Sequence, residues 1–370
     1  MKRIKSIDAI RGFCIFLMIL GHLLDWWLKY EDKWLQVILF ELLAPLAASG
    51  FLFISGFSTT LSYKSRVIKA ENSNEFTMRK IKNEYIIRAL LILIIALTYN
   101  TLIAFTINDL TWIWSWNVLQ TIAVSLLLMW PLLKTSKTFR IVLGIVLLIA
   151  DQCILILLTP YMGQTNMYGV FYHILFNPLD QYIILSFFSV FLIGTVVGDV
   201  FFEFNKISDQ EERKHAIKYE FIKFSLLIGI ILMIFGAIFS FPDFLYHGTF
   251  SSMLYSIGTV LVLLSILLYI EEFEVVKIKK SYRFFYFYSF YSFTIYLAHN
   301  PLYFIFFRQL NILSVWIAII GVYIFLTLLL KVIYKKWGKN ASLKVLISIL
   351  SSKLANKLEE RYLSRDLNRN

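Results

Sequence analysis

The sequence predicts an all-α, polytopic integral membrane protein with about ten transmembrane helices and both termini in the cytoplasm. Three observations carry this. Of the 370 residues, 59% are hydrophobic and 16% charged, where soluble domains are about half apolar and a quarter charged. Apolar windows repeatedly reach the roughly 20 residues that cross a bilayer core. Basic residues gather in every second loop, the pattern that marks cytoplasmic loops.

The spans fall at about 7–28, 36–63, 84–107, 112–133, 138–159, 181–203, 218–240, 250–270, 284–307 and 312–334. The first follows "MKRIK" and lacks a small-residue cleavage site, so it reads as a membrane helix and not as a removed leader. The second holds Pro45, Gly50 and Gly56, which predict a kink or an unwound turn. Lys64, Arg66, Lys69, Arg79, Lys80 and Lys82 follow the second span. Lys134, Lys137 and Arg140 follow the fourth, and Lys206, Arg213, Lys214 and Lys218 the sixth. Lys277, Lys279, Lys280 and Arg283 follow the eighth, and Lys335, Lys336 and Lys339 the tenth. The opposite loops are poor in basic residues: "TINDLT", "PYMGQTNMYGVFYHILFNPLD" and "FPDFLYHG" contain no lysine or arginine.

Residues 338–370 form a cytoplasmic tail distinct from the membrane domain of 1–337. There Leu343, Leu346, Ile347, Leu350, Leu354 and Leu358 recur at three- and four-residue steps among Lys344, Lys353, Lys357, Glu359 and Glu360. This is the period of an amphipathic helix. It suits an anionic lipid surface; a homodimer contact is the second role open to it. The net charge of +12 sits mainly in loops, where membrane topology explains it, so no nucleic-acid partner is expected. Cys14 and Cys153 both lie in apolar segments. A disulfide is not expected, and no metal-ligand spacing is present.

The first span carries the chemistry. "SIDAIRGFCIFLMILGHLLDWW" is apolar yet keeps Asp8, Arg11, His22 and Asp25. From Arg11 to His22 is eleven steps, about 20° beyond three full helical turns, so both share one face roughly 16 Å apart. Asp8 lies three residues before Arg11 and Asp25 three after His22, within reach of each partner. The result is one polar stripe with a cytoplasmic end and an outer end. Charges inside a membrane are costly and face the bundle, a cavity or one another. The plain alternatives are that Asp8 caps the helix, that Arg11 snorkels to headgroups, and that Asp25 marks the interface.

In the ninth span, "YSFYSFTIYLAHNPLYF" puts His299 about 16 residues from the cytoplasmic end, close to the depth of His22. Two histidines at matching depth suggest one outer-half cavity. Asn117 and Gln120, early in the fourth span, and Asp180, entering the sixth, fall near the outer side and join it as candidate substrate contacts. Asn100 lies at that level too. In such a site His22 takes a proton from a hydroxyl or amine nucleophile while Asp25 holds its ring. Arg11, with Asp8, is placed to bind an anionic donor from the cytoplasm.

Residues 3–22, "RIKSIDAIRGFCIFLMILGH", resemble the opening of the transmembrane acyltransferase superfamily, which includes the heparan-α-glucosaminide N-acetyltransferase and acyltransferase-3 families. Arginine, ten residues, histidine is the acyltransferase-3 hallmark, matched by Arg11 and His22. "SIDAIRGF" followed by "LMIL" is closer to the heparan branch. "APLAASGFLFISGFS" (44–58), "WSWNVLQTIAVSLLLMWPLL" (114–133), "DQYIILSFFSVFLIGTVVGD" (180–199) and "YSFYSFTIYLAHNPL" resemble later segments in the same order. The heparan enzyme's own histidine lies between spans one and two; here that loop, "KYEDKW", has none.

The resemblance implies acyl transfer from cytoplasmic acetyl-CoA, or another acyl-CoA, to a glycan or glycolipid acceptor on the outer side, with no metal. It implies Arg11 on the CoA side and His22 as the catalytic histidine, whether base or transient acyl carrier. The heparan substrate is not carried over. The rival from another class is a proton-coupled secondary transporter using the buried arginine, histidine and aspartate groups. Such transporters often show inverted repeats, and no repeat is visible.

Overall fold

The computed structural model describes residues 3–72, 77–177, 183–239, 249–275 and 281–367. They are helical almost throughout, and among them the one β contact is an isolated bridge between Leu28 and Leu310. The helices are α1 Lys5–Trp27, α2 Lys33–Ala44, α3 Gly50–Glu71, α4 Met78–Ile107, α5 Val118–Leu132, α6 Lys137–Leu158, α7 Met167–Phe176 and α8 Ile184–Phe204. Then follow α9 Gln210–Ala216, α10 Lys223–Phe239, α11 Phe250–Glu272, α12 Ser281–Phe290, α13 Ser292–Ala298, α14 Ile312–Lys336 and α15 Leu343–Leu367.

Among the described residues, eight helices are long and apolar enough to cross a membrane: α1, α4, the segment Leu110–Leu132 ending in α5, α6, α8, the continuous Gln210–Phe239, α11 and α14. The chain is an integral, multi-pass membrane protein. The other two expected spans take a different form. Around Pro45, where a kink is expected, α2 passes through a π-helical turn, Pro45–Ser49, into α3. Proline supplies no N–H to the helical ladder, and a wider turn accommodates the gap. The expected span 284–307 is broken into α12, α13 and a 3-10 turn, Asn300–Phe304. Pro301 disfavours α-helical geometry at the residue before it, so the helix stops there.

The chain divides into two compact units. One comprises Lys2–Ile54 and Glu203–Lys344; the other comprises Ser55–Phe202 and Val345–Asn370.

In the first unit, α1 packs against α2, the π turn, α11, α12 and α13. Ile10, Ile19, Leu23 and Trp27 are fully buried in that packing. Gly12 lets α12 come close: a Cβ at this position would sit 2.0 Å from the carbonyl oxygen of Phe285. By contrast α14 turns Leu313 and Ile317 outward, 79% and 75% exposed. A helix apolar on its exposed side is one facing lipid. In the second unit, α4 packs on α5 and α6 on α7. There α3 and α8 meet at Gly56, whose Cβ would lie 2.2 Å from the Phe191 carbonyl oxygen. Close approach through small residues is the usual packing device in membranes.

Candidate functional site

A helix leaves its first four N–H groups and last four carbonyls without internal partners. In α1 many of these are filled from far along the chain. Glu271, at the end of α11, accepts from the backbone N–H of Lys5 at 2.8 Å and of Ser6 at 2.7 Å, and from the Ser6 hydroxyl at 2.5 Å. A carboxylate is favoured at this positive end of the helix dipole. So Glu271, not Asp8, is the acid that receives these N-terminal groups.

At the other end the Leu24 carbonyl accepts from Leu28 N–H at 3.3 Å, and the Asp25 carbonyl from Arg308 Nη1 at 2.6 Å. The Trp26 and Trp27 carbonyls accept from the N–H groups of Arg308 and Leu310, each at 2.9 Å. Arg308 holds a left-handed backbone, φ 56°, unusual for a residue with a side chain. Its guanidinium also lies over the Tyr30 ring, 4.8 Å from the centroid. Glu271 and Arg308 fix the helix that carries the stripe, and nothing local in the sequence marks either residue.

The inner end of the stripe is a cluster of charge. Asp8 accepts from Arg3 Nε at 2.5 Å and from the Ser289 hydroxyl at 3.2 Å, and faces Arg11 Nη1 at 3.7 Å. Lys344 Nζ donates to the Ser289 carbonyl at 3.1 Å. The guanidinium of Arg3 sits 4.4 Å from the Tyr286 ring centre. The Asp8–Arg11 contact matches the expected three-residue step, while the shorter bond is to Arg3. Arg3, Arg11 and Lys344 thus gather about the Asp8 carboxylate and the Ser289 beside it.

The outer end is a cluster of rings. His22 and Trp26 are one turn apart on α1, so they share a face, and their rings stack at 5.0 Å. His299 follows α13 and brings its imidazole to 5.1 Å from that of His22 and 5.6 Å from Trp26. Tyr303 meets Trp26 edge-on at 5.6 Å. His299 is buried, and its Nδ1 lies 2.6 Å from the Tyr296 carbonyl. A carbonyl only accepts, so Nδ1 carries the hydrogen, and in the neutral ring Nε2 holds the lone pair. Trp27 anchors the base of this cluster, donating from Nε1 to the Leu302 carbonyl at 2.8 Å.

Asp25 goes elsewhere. The expected pairing with His22 is replaced by an ion pair with Lys33 at 3.2 Å. Lys33 opens α2 and offers the carboxylate a full positive charge.

The second unit holds the other expected site residues. Asn117 caps α5, its side chain accepting from Gln120 N–H at 2.9 Å, and donates to Asn100 Oδ1 at 2.6 Å. Asn100 in turn donates to Gln120 Oε1 at 2.9 Å and to the Ser115 carbonyl at 2.7 Å. Gln120 is fully buried, and among the described residues its Nε2 has no hydrogen-bond partner. Asp180 lies outside the described residues.

A further buried group escaped sequence reasoning. Arg140, read there as a loop charge, is 1% exposed in the first turn of α6. It pairs with Asp199 of α8, donates to the Thr195 hydroxyl at 3.1 Å, and shares Asp199 with Lys64 of α3.

The heparan-alpha-glucosaminide N-acetyltransferase catalytic family matches residues 3–235. The chain belongs to that family. The matched stretch runs from the start of α1 through most of α10, and so includes the whole stripe from Asp8 to Asp25. His299 and Arg308, which complete the outer end, lie beyond it. The heparan-alpha-glucosaminide N-acetyltransferase family is one of membrane acetyltransferases, and its members use acetyl-CoA. No curated protein matches the chain.

Proposed function

We propose that this membrane acetyltransferase takes the acetyl group of acetyl-CoA from the cytoplasmic face and passes it to a sugar hydroxyl or amine, on a glycan or glycolipid, reached from the outer side. One observation carries the reading. α1 joins a pair of imidazoles 5.1 Å apart to a cluster of three cations about one carboxylate. Arginine forks match phosphate oxygens in pairs, so Arg3, Arg11 and Lys344 suit the phosphates of a coenzyme A donor. Asp8 holds the two arginines in place.

His22 serves as the base. It takes the proton of the acceptor as that atom attacks the thioester carbonyl, and returns it to the departing coenzyme A thiolate. The acceptor bond to the acyl carbon forms as the carbon–sulfur bond breaks. His299, its tautomer fixed by the Tyr296 carbonyl, presents Nε2 as an acceptor beside the working ring. Trp26 keeps both rings in place and displaces water from them. Asp25 belongs with Lys33 in this scheme. Within the second unit, Asn117 and Gln120 are proposed by themselves as a polar contact for substrate, with Gln120 Nε2, which has no partner among the described residues, as the donor.

Purified protein given radiolabelled acetyl-CoA is expected to release coenzyme A only when a glycolipid extract is present, with label recovered in the glycan. Release at the same rate without any acceptor would contradict the reading. Treating the labelled product with alkaline hydroxylamine separates an ester, which is cleaved, from an amide, which is not.

A further inference from the structure

The tail helix α15 is organised in four rows at four-residue steps. Ile347, Ser351 and Ala355 are buried, at 5%, 0% and 0% exposure. The next row round the helix, Leu346, Leu350, Leu354 and Leu358, is open, at 39–45% exposure. Beyond it lies a basic row, Lys353, Lys357 and Arg361, and beyond that a polar row, Ser348, Ser352, Asn356 and Glu360. A protein-facing row, an apolar row and a row of long cations succeed one another around one helix.

Both ends of α15 are tied down. Before it, Tyr291 donates to the Gly338 carbonyl at 2.7 Å, and the Ser342 hydroxyl to the Phe290 carbonyl at 2.7 Å. Toward its far end, Glu359 accepts from the Thr77 hydroxyl at 2.8 Å, and Arg79 lies 3.8 Å over the Tyr362 ring. The leucine row is therefore held open, not merely unfolded into solvent. A short turn, Gly338–Ala341, separates α15 from the lipid-facing helix α14, which ends in Lys335 and Lys336. The tail thus starts at the membrane face where that helix emerges.

We propose that α15 lies on the anionic lipid surface of the membrane that the chain spans, with Leu346, Leu350, Leu354 and Leu358 among the acyl chains and Lys353, Lys357 and Arg361 at the headgroups. Apolar area together with basic charge is what binds an interfacial helix to anionic lipid. Lysine and arginine stems lie along apolar surface while their charges reach phosphate. The placement of the basic row directly beside the leucine row favours a lipid surface over a second copy of the chain, which would leave those cations facing one another.

The test uses the full chain carrying Cys153→Ala, with Cys14 buried. Leu354→Cys and Asn356→Cys, two residues and so about 200° apart on the helix, are each labelled with bimane. The protein is reconstituted in phosphatidylcholine, or in equal parts phosphatidylcholine and phosphatidylglycerol, with brominated phosphatidylcholine as quencher. The label at position 354 is expected to quench several-fold more than that at 356, and more strongly still with phosphatidylglycerol. The pair Lys353→Glu and Lys357→Glu is expected to remove the phosphatidylglycerol effect. Equal quenching at the two positions would overturn the proposal. So would cross-linking of Leu354→Cys between copies without quenching, which assigns the row to a second copy.

Discussion

Asp199 and His22 are both ionisable groups set in apolar helices, and their surroundings differ. The carboxylate of Asp199 is shared between Lys64 and Arg140, and Arg140 reaches Thr195 as well. His22 meets the rings of Trp26 and His299 and, among the described residues, makes no hydrogen bond. The first arrangement sets charge against charge and joins α3, α6 and α8, with Arg140 Nε left without a hydrogen bond among the described residues. The second leaves an imidazole with its nitrogens free for a substrate. The difference is one of kind: the first is a set of ion-paired charges, the second a cluster of rings on which the proposed transfer rests.

Breaking the ion-paired system is expected to have the largest effect. Removing one member of a buried ion pair leaves uncompensated charge, at about 3–5 kcal/mol. Asp199→Leu, which strands two cations, is expected to lose stability on that scale, read as a lowered thermal midpoint in detergent. An unchanged midpoint would mean that the Lys64–Asp199–Arg140 group is not structural. Next in size is Arg308→Ala. It withdraws a charged hydrogen bond from the Asp25 carbonyl, an interaction of about 1.5–3 kcal/mol. The maximal rate of acetyl transfer is expected to fall with little change in the KM for acetyl-CoA, because the outer rings lose their frame while the inner cations stay. A rise in that KM alone would place Arg308 with the donor.

Arg11→Gln should do the reverse. It removes a charge from the inner cluster, with an expected rise of about tenfold in the KM for acetyl-CoA, equal to 1.4 kcal/mol. An unaltered KM would take Arg11 out of donor binding. The smallest effect is expected from Asp25→Asn. Its pair with Lys33 is partly exposed, and such pairs contribute about 0.2–1 kcal/mol. Activity close to wild type would confirm Asp25 as Lys33's partner, whereas a large loss of rate would return it to His22.

The same contrast explains which parts were legible in the sequence. The Arg11–His22 stripe depends only on the helical period, and His299 on counting depth along a second span; both are regular quantities. Pro45 marked a local irregularity because its effect on the backbone is local. Glu271 and Arg308 touch α1 from 265 and 283 residues away, and no period links such positions. Arg140 was hidden for a different reason: it stands among lysines at a helix start, and only packing separates it from them. Asp25 shows the limit of i, i+3 reasoning, since a stronger partner on the next helix took its charge. The second break of the ninth span, after α13, followed from Pro301, a signal present in the sequence and outweighed there by the apolar run around it, while the first, at Tyr291, has no such local signal.

The central claim is that the outer ring cluster is the transfer centre and not a packing device. The most direct test sets the acetyl-transfer rate of His22→Ala beside its thermal midpoint, both measured on the purified full chain. Loss of a general base lowers rate by about 10²–10⁴-fold. A fall of that size with an unchanged midpoint is the expected result. A wild-type rate in the His22→Ala protein would contradict the account.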